Sequence, residues 1–166
     1  MITLYYQNMA RKLRVKFVEE YYYHLINRGN SKNTIFIHDK DKEYFIKKFR
    51  ELLQDSDILI DKFCIMNSHF HILLKPSEDS NIPKFIQILC SSYSLYYNKK
   101  YGKIGHVFQG RYKAKQITTY QGLLNVRKYI QQNPVKAGYC DKPENYKWLW
   151  SKEMGSDPHR VWPHLY

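Results

Sequence analysis

Two histidines stand two residues apart in the run Asn67-Ser68-His69-Phe70-His71-Ile72-Leu73-Leu74-Lys75-Pro76. An apolar, aromatic run that opens after a turn-forming Asn-Ser and closes at a proline predicts a β-strand. Side chains alternate faces along a strand, so His69 and His71 point the same way and Phe70 points into the opposite layer. Two imidazoles in that relation can share one divalent ion, or form a hydrogen-bonded pair on a half-buried sheet face. A second pair of residues weighs towards the ion: Tyr129 and Asn133, four apart in Arg127-Lys128-Tyr129-Ile130-Gln131-Gln132-Asn133-Pro134. On a helix that spacing puts the phenol and the amide on one face, with Gly122 and Val126 above them.

A tyrosine facing a cation, with an amide carbonyl as third ligand, suits phosphodiester chemistry. The ion would polarise a phosphate oxygen and stabilise charge at the phosphorus and on the leaving oxygen. A phenolate would attack, giving a protein–DNA phosphotyrosine and a free 3′-hydroxyl. A free phenol titrates near ~10, so a cation must help it ionise, either the metal or Arg127 or Lys128. The chain has 16 tyrosines, and abundance alone favours nucleic-acid stacking. Selecting Tyr129 rests on three conditions met together: a helical setting, a same-face amide one turn on, and adjacent positive charge. Tyr96 and Tyr97 have Lys100 and Tyr101 at that spacing, Tyr120 has Leu124, and Tyr112 has no amide partner.

The elements that must position these residues follow from the rest of the chain. A length of 166 residues fits a single domain spanning 1–166. Met9 would serve as an alternative start, which makes residues 1–8 a candidate disordered lead within a weakly ordered segment 1–18. A strand is expected over Glu20–Asn30 and a short one over Asn33–His38. Asp39 is the expected cap of a helix to about Gln54, with Phe45, Ile46, Phe49, Leu52 and Leu53 on one face. Leu59–Met66 reads as a strand joined to the histidine strand by a tight turn at Asn67-Ser68. A second helix starts near Ser80-Asn81, with Pro83 in its first turn, and stops around Tyr101-Gly102. Tyr112–Ile117 reads as another strand. Thr118 or Thr119 caps a third helix from Tyr120 to about Gln132, which Pro134 is expected to end. Residues 139–166 form a C-terminal extension that holds Trp148, Trp150 and Trp162. This order predicts an α+β fold, an antiparallel sheet with helices on its faces, the histidine strand central and the third helix against the imidazole face.

The charge distribution bears on the partner. The net charge is +12, and from Asn81 to Cys140 ten Lys and Arg occur without one Asp or Glu. Ordinary soluble surfaces intersperse both signs, so a polyanion partner is expected, with nucleic acid favoured over a membrane surface. Lys99, Lys100, Lys103, Arg111, Lys113 and Lys115 form the cluster; Arg28, Arg127 and Lys128 complete the candidate DNA-binding set. The three cysteines, Cys64, Cys90 and Cys140, are far apart and form no Cys-x-x-Cys pair, which points to a reduced, cytoplasmic protein. No apolar run approaches membrane-spanning length, and the N-terminus lacks a signal-peptide core.

Four phrases in order resemble the single-tyrosine HUH transposases, and most closely the REP-associated tyrosine transposases. They are Tyr23-His24-Leu25-Ile26-Asn27-Arg28-Gly29-Asn30, Met66 to Leu74, Val107-Phe108-Gln109-Gly110-Arg111-Tyr112-Lys113, and Tyr129 to Gly138 with the Pro143-Glu144-Asn145-Tyr146 that follows. The resemblance covers nearly everything from Met9 to about Trp150. It implies a ferredoxin-like antiparallel sheet, cleavage and rejoining of single-stranded or hairpin DNA, and Mg²⁺ or Mn²⁺ as cofactor. It carries His69 and His71 over as metal ligands, Tyr129 as the nucleophile and Asn133 as third ligand, with Gln132 as the substitute. It leaves both a monomer and a homodimer open. Two other readings compete: a non-catalytic binder whose RRM-like sheet stacks bases on tyrosines, and a metal-dependent nuclease that uses water.

Overall fold

The structure, a computed structural model, describes residues 15–151. It contains five strands, β1 (Tyr22–Arg28), β2 (Leu59–Ile65), β3 (His69–Lys75), β4 (Lys113–Ile117) and β5 (Leu149–Ser151), and three α-helices, α1 (Asp39–Gln54), α2 (Ile82–Tyr101) and α3 (Tyr120–Lys136). The sheet is antiparallel throughout, in the order β4-β1-β3-β2-β5. The first four strands and two helices follow the β-α-β-β-α-β pattern of ferredoxin-like folds, and the histidine strand is central as expected.

One face of the sheet is apolar. Leu25, Phe63, Phe70, Ile72 and Leu74 alternate onto it, and α1 and α2 cover it. Phe45 and Phe49 on α1 meet Phe70 and Phe63 at centroid separations of 4.9 and 4.6 Å, while Tyr93 on α2 lies 5.4 Å from Phe45. Each such buried ring contributes on the order of 1.5–3 kcal/mol. α3 packs over β2, β3 and β4 on the opposite face, burying Leu123 and Ile130.

Several local expectations are corrected. Asn33–His38 is not a strand: Ile35 and Phe36 are buried, but both their N–H groups donate to the Asn67 carbonyl at 2.9 Å. The turn before the histidine strand thus supplies the partner that a neighbouring strand would otherwise have to provide. α1 is capped by His38 rather than Asp39, because Asp41 Oδ2 accepts the N–H of His38 at 2.8 Å and closes a capping box. α3 runs through Pro134 to Lys136. The proline ring is buried there, which offsets the hydrogen bond it cannot make. The helix ends in a Schellman arrangement instead, with Tyr139 N–H to the Pro134 carbonyl, Gly138 N–H to the Val135 carbonyl, and Gly138 at φ 71°.

Beyond α3 the chain returns to the sheet. β5 pairs with β2 through Phe63 and Trp150, a strand the sequence reading did not anticipate, and Trp148 and Trp150 are buried. Residues 1–14, including the lead expected over 1–8, and Trp162 lie outside the described residues. The rest of the segment expected to be weakly ordered is packed: Val15 and Phe17 lie against the core, the Phe17 ring 4.6 Å from that of Tyr23.

Candidate active site

His71 is the centre of the imidazole face. Antiparallel register sets Ile26 opposite His71 and Arg28 opposite His69, so these side chains share that face. The same register brings His24 of β1 diagonally beside His71, with His24 Nε2 and His71 Nδ1 2.9 Å apart. His69 and His71 lie at a centroid separation of 5.0 Å with their rings nearly perpendicular. Tyr129 on α3 presents its ring edge-on, 5.6 Å from His71 and 6.0 Å from His24. Tyr129 of one sequence-predicted pair and His71 of the other therefore meet within one chain.

An ion pair adds to the apolar packing that holds α3 in place. Arg127, two residues before Tyr129, binds Asp61 with two donors, Nε to Oδ1 at 2.9 Å and a second contact from the other end of the guanidinium. Asp61 is 3 % exposed and sits at an irregularity in the β2–β3 register. A buried bidentate pair of this kind is geometrically selective, and it fixes the turn of α3 that carries Tyr129.

All three imidazoles are held neutral at ordinary pH. Burial lowers His24 to about 4, with the Lys115 ammonium adding to it. Burial likewise lowers His69 to about 4, helped by the Arg28 guanidinium. His71 is driven well below the usual histidine range by burial, then by His24 and His69. Neutral imidazoles are what a cation needs from histidine. His71 Nε2 is buried without a hydrogen-bond partner among the described residues, a cost that a bound ion would remove. Among the described residues no group of three or more His, Cys, Asp or Glu side chains is arranged to hold a metal ion. Asn133 stands one turn beyond Tyr129 in continuous helix, and its Nδ2 donates to the Tyr129 carbonyl at 2.9 Å. That bond uses one of the two amide N–H donors, and Oδ1 is the amide's acceptor atom. Gln132 is half-buried beside it.

The expected DNA-binding residues divide. Lys113 and Lys115 lie on β4 opposite Ile26 and His24, on the imidazole side of the sheet, and Arg28 flanks His69 with its Nε buried and without a hydrogen-bond partner. Lys99, Lys103, Arg111 and Lys128 are exposed. Lys100 is engaged instead with Asp41, and Arg127 with Asp61. The face that an RRM-like sheet would leave open for stacking is here packed by α3 over β2, β3 and β4. Sequence reasoning missed His24 and Asp61. Alternation along β1 could have put His24 on one face, but only the register with β3 reveals that it is the His71 face.

The chain belongs to the IS200-like transposase family, whose sequence profile matches residues 17–133, and transposases cut and rejoin DNA. Among solved structures it is similar to a REP-associated tyrosine transposase bound to a REP hairpin: 13 % identity, 84 % of this chain and 82 % of that one, TM-score 0.65. A candidate transposase of Deinococcus radiodurans aligns with 15 % identity over 74 % of this chain and 97 % of its own, TM-score 0.49. No curated protein matches the chain. Among the described residues no helix is long and apolar enough to cross a membrane.

Proposed function

We propose that the protein cleaves and rejoins single-stranded DNA at a hairpin or repeat, with Tyr129 as nucleophile and Mg²⁺ or Mn²⁺ bound by His69, His71 and the Asn133 amide. The observation that carries this is the meeting of Tyr129 with His71, 5.6 Å apart by ring centroids, where the buried His71 Nε2 has no hydrogen-bond partner among the described residues. When bound, the ion supplies Lewis-acid polarisation of the scissile phosphate.

The remaining work falls to the chain. The Tyr129 hydroxyl gives its proton to solvent and its oxygen attacks phosphorus; the O–P bond to tyrosine forms as the P–O3′ bond breaks, and the departing 3′-oxygen takes a proton from solvent. Rejoining is the reverse: a 3′-hydroxyl attacks the phosphotyrosine and the phenol leaves. Arg28, beside His69 with an unspent buried donor, is placed to hold a phosphate oxygen. Lys113 and Lys115 lead the strand's backbone along the imidazole side. A REP hairpin is what the structural neighbour binds, which makes hairpin DNA the first substrate to try.

The test is incubation with labelled single-stranded hairpins and Mn²⁺, followed by denaturing gels and mass spectrometry of the digested adduct. The expected product is a 5′-phosphotyrosine on the peptide containing Tyr129, lost in Tyr129→Phe while DNA binding is kept. An adduct on another tyrosine would refute the assignment, and cleavage that survives Tyr129→Phe would favour a water nucleophile.

A further inference from the structure

We infer that His24 is a positioning residue for the cation site, accepting the Nδ1 proton of His71 and thereby presenting the His71 Nε2 lone pair to the ion. This rests on the cation reading given above. His24 Nε2 and His71 Nδ1 are 2.9 Å apart, and both side chains are buried, at 2 % and 0 % exposure. Two neutral imidazoles at that distance share one proton between the facing nitrogens, so only two arrangements exist. In the first, His71 carries its hydrogen at Nδ1 and donates to His24, leaving Nε2 as a lone pair. In the second, His24 donates and His71 must carry its hydrogen at Nε2. That atom is buried and has no acceptor among the described residues, so the second arrangement strands an N–H donor.

The first arrangement leaves His71 Nε2 with a lone pair, which a cation would take. A ligand histidine generally has its other nitrogen held by a hydrogen-bond acceptor that fixes tautomer and ring orientation. Here the acceptor is another imidazole on the adjacent strand, set in place by backbone register rather than by a loop. Ring stacking adds to the constraint: His24 and His71 lie 5.1 Å apart by centroids with planes 27° from parallel. Neither ring can rotate without losing both contacts.

The test reads the tautomer and the metal separately, on the full chain. Long-range ¹H–¹⁵N correlation spectra of histidine-labelled, metal-free protein are expected to show His71 protonated at Nδ1. His24→Leu removes the acceptor and is expected to weaken Mn²⁺ binding, measured by titration calorimetry without DNA, by roughly 10–100-fold. His24→Gln restores a side-chain oxygen acceptor and is expected to recover most of that loss, which a purely space-filling role would not produce. A wild-type His71 protonated at Nε2 overturns the inference whether or not the leucine variant folds. So does Mn²⁺ affinity unchanged in a folded His24→Leu. Wild-type protein that fails to bind Mn²⁺ overturns the cation reading itself, a result distinct from either.

Discussion

Arg127 offers the sharpest separation between holding the fold and touching DNA. Its charge sits two residues from Tyr129, and the sequence alone placed it among the phosphate contacts. In the structure it makes two charge-assisted bonds to Asp61, whose side chain is 4 % exposed, while its own is 24 % exposed. Removing one partner of a buried pair costs about 3–5 kcal/mol, because the other charge is left uncompensated. The partial exposure of Arg127 argues for the lower end, so Arg127→Met is expected to destabilise by about 3 kcal/mol. For a chain of this size that is a fall in Tm of roughly 6–12 °C. The double variant Asp61→Leu/Arg127→Met removes both charges and is expected to return to within about 1 kcal/mol of wild type. Urea unfolding followed by the fluorescence of the buried Trp148 and Trp150 measures both values. The same proteins, assayed for adduct formation, ask whether Arg127 also contacts DNA. A structural role predicts that the double variant regains activity along with stability. A loss below about 1 kcal/mol in Arg127→Met would refute the reasoning. A stable double variant with a shallower salt dependence of binding would return Arg127 to the phosphate contacts.

Salt dependence should divide the other cations. Five or six phosphate contacts on single-stranded DNA give a log–log slope of roughly −3.5 to −4, and Arg111→Ala is expected to reduce it by about 0.7. Lys100→Ala should leave the slope unchanged and lower stability instead, since its ammonium is bound to the buried Asp41 along with the hydroxyls of Tyr96 and Tyr101; filter-binding titrations and urea melts separate the two outcomes. The histidines predict a pH effect on metal-free protein. Their folded values lie below the ordinary ~6.5, so between about 6.5 and about 4 the unfolded chain binds protons that the folded chain refuses. Stability is therefore full above that window and falls through it, by up to about 1.4 kcal/mol per pH unit for each histidine. A flat profile from pH 7 to 4.5 would contradict the burial. Asp41 acts lower still. Burial pushes its carboxyl up, but Lys100, the His38 N–H and the two tyrosines outweigh this and hold it below the usual range. Its contribution is thus present above about 3.9 and lost as pH falls below that; Asp41→Asn is expected to flatten this acid limb of the same titration.

Much of this protein is determined locally. The three helices, four of the five strands and the turn at Asn67-Ser68 follow from apolar periodicity, caps and breakers, which act over a few residues. The pairing of His69 with His71 on one face needs only the two-residue strand repeat, and that of Tyr129 with Asn133 only the helical one. The tertiary structure decided whatever depends on which strands lie side by side. His24 reaches His71 only because β1 and β3 pair with Ile26 opposite His71, a register no single strand encodes. Pro134 stays helical because burial of its ring compensates a missing hydrogen bond, and burial is a property of the assembled core. Ile35 and Phe36 have a strand's composition but bond to the turn at Asn67, since that carbonyl is where the fold brings them. Lys100 and Arg127 read as free positive charge along the chain. Folding brings Asp41 and Asp61, 59 and 66 residues away, against them, and so turns two candidate DNA contacts into the ties that hold α2 to α1 and α3 to the sheet.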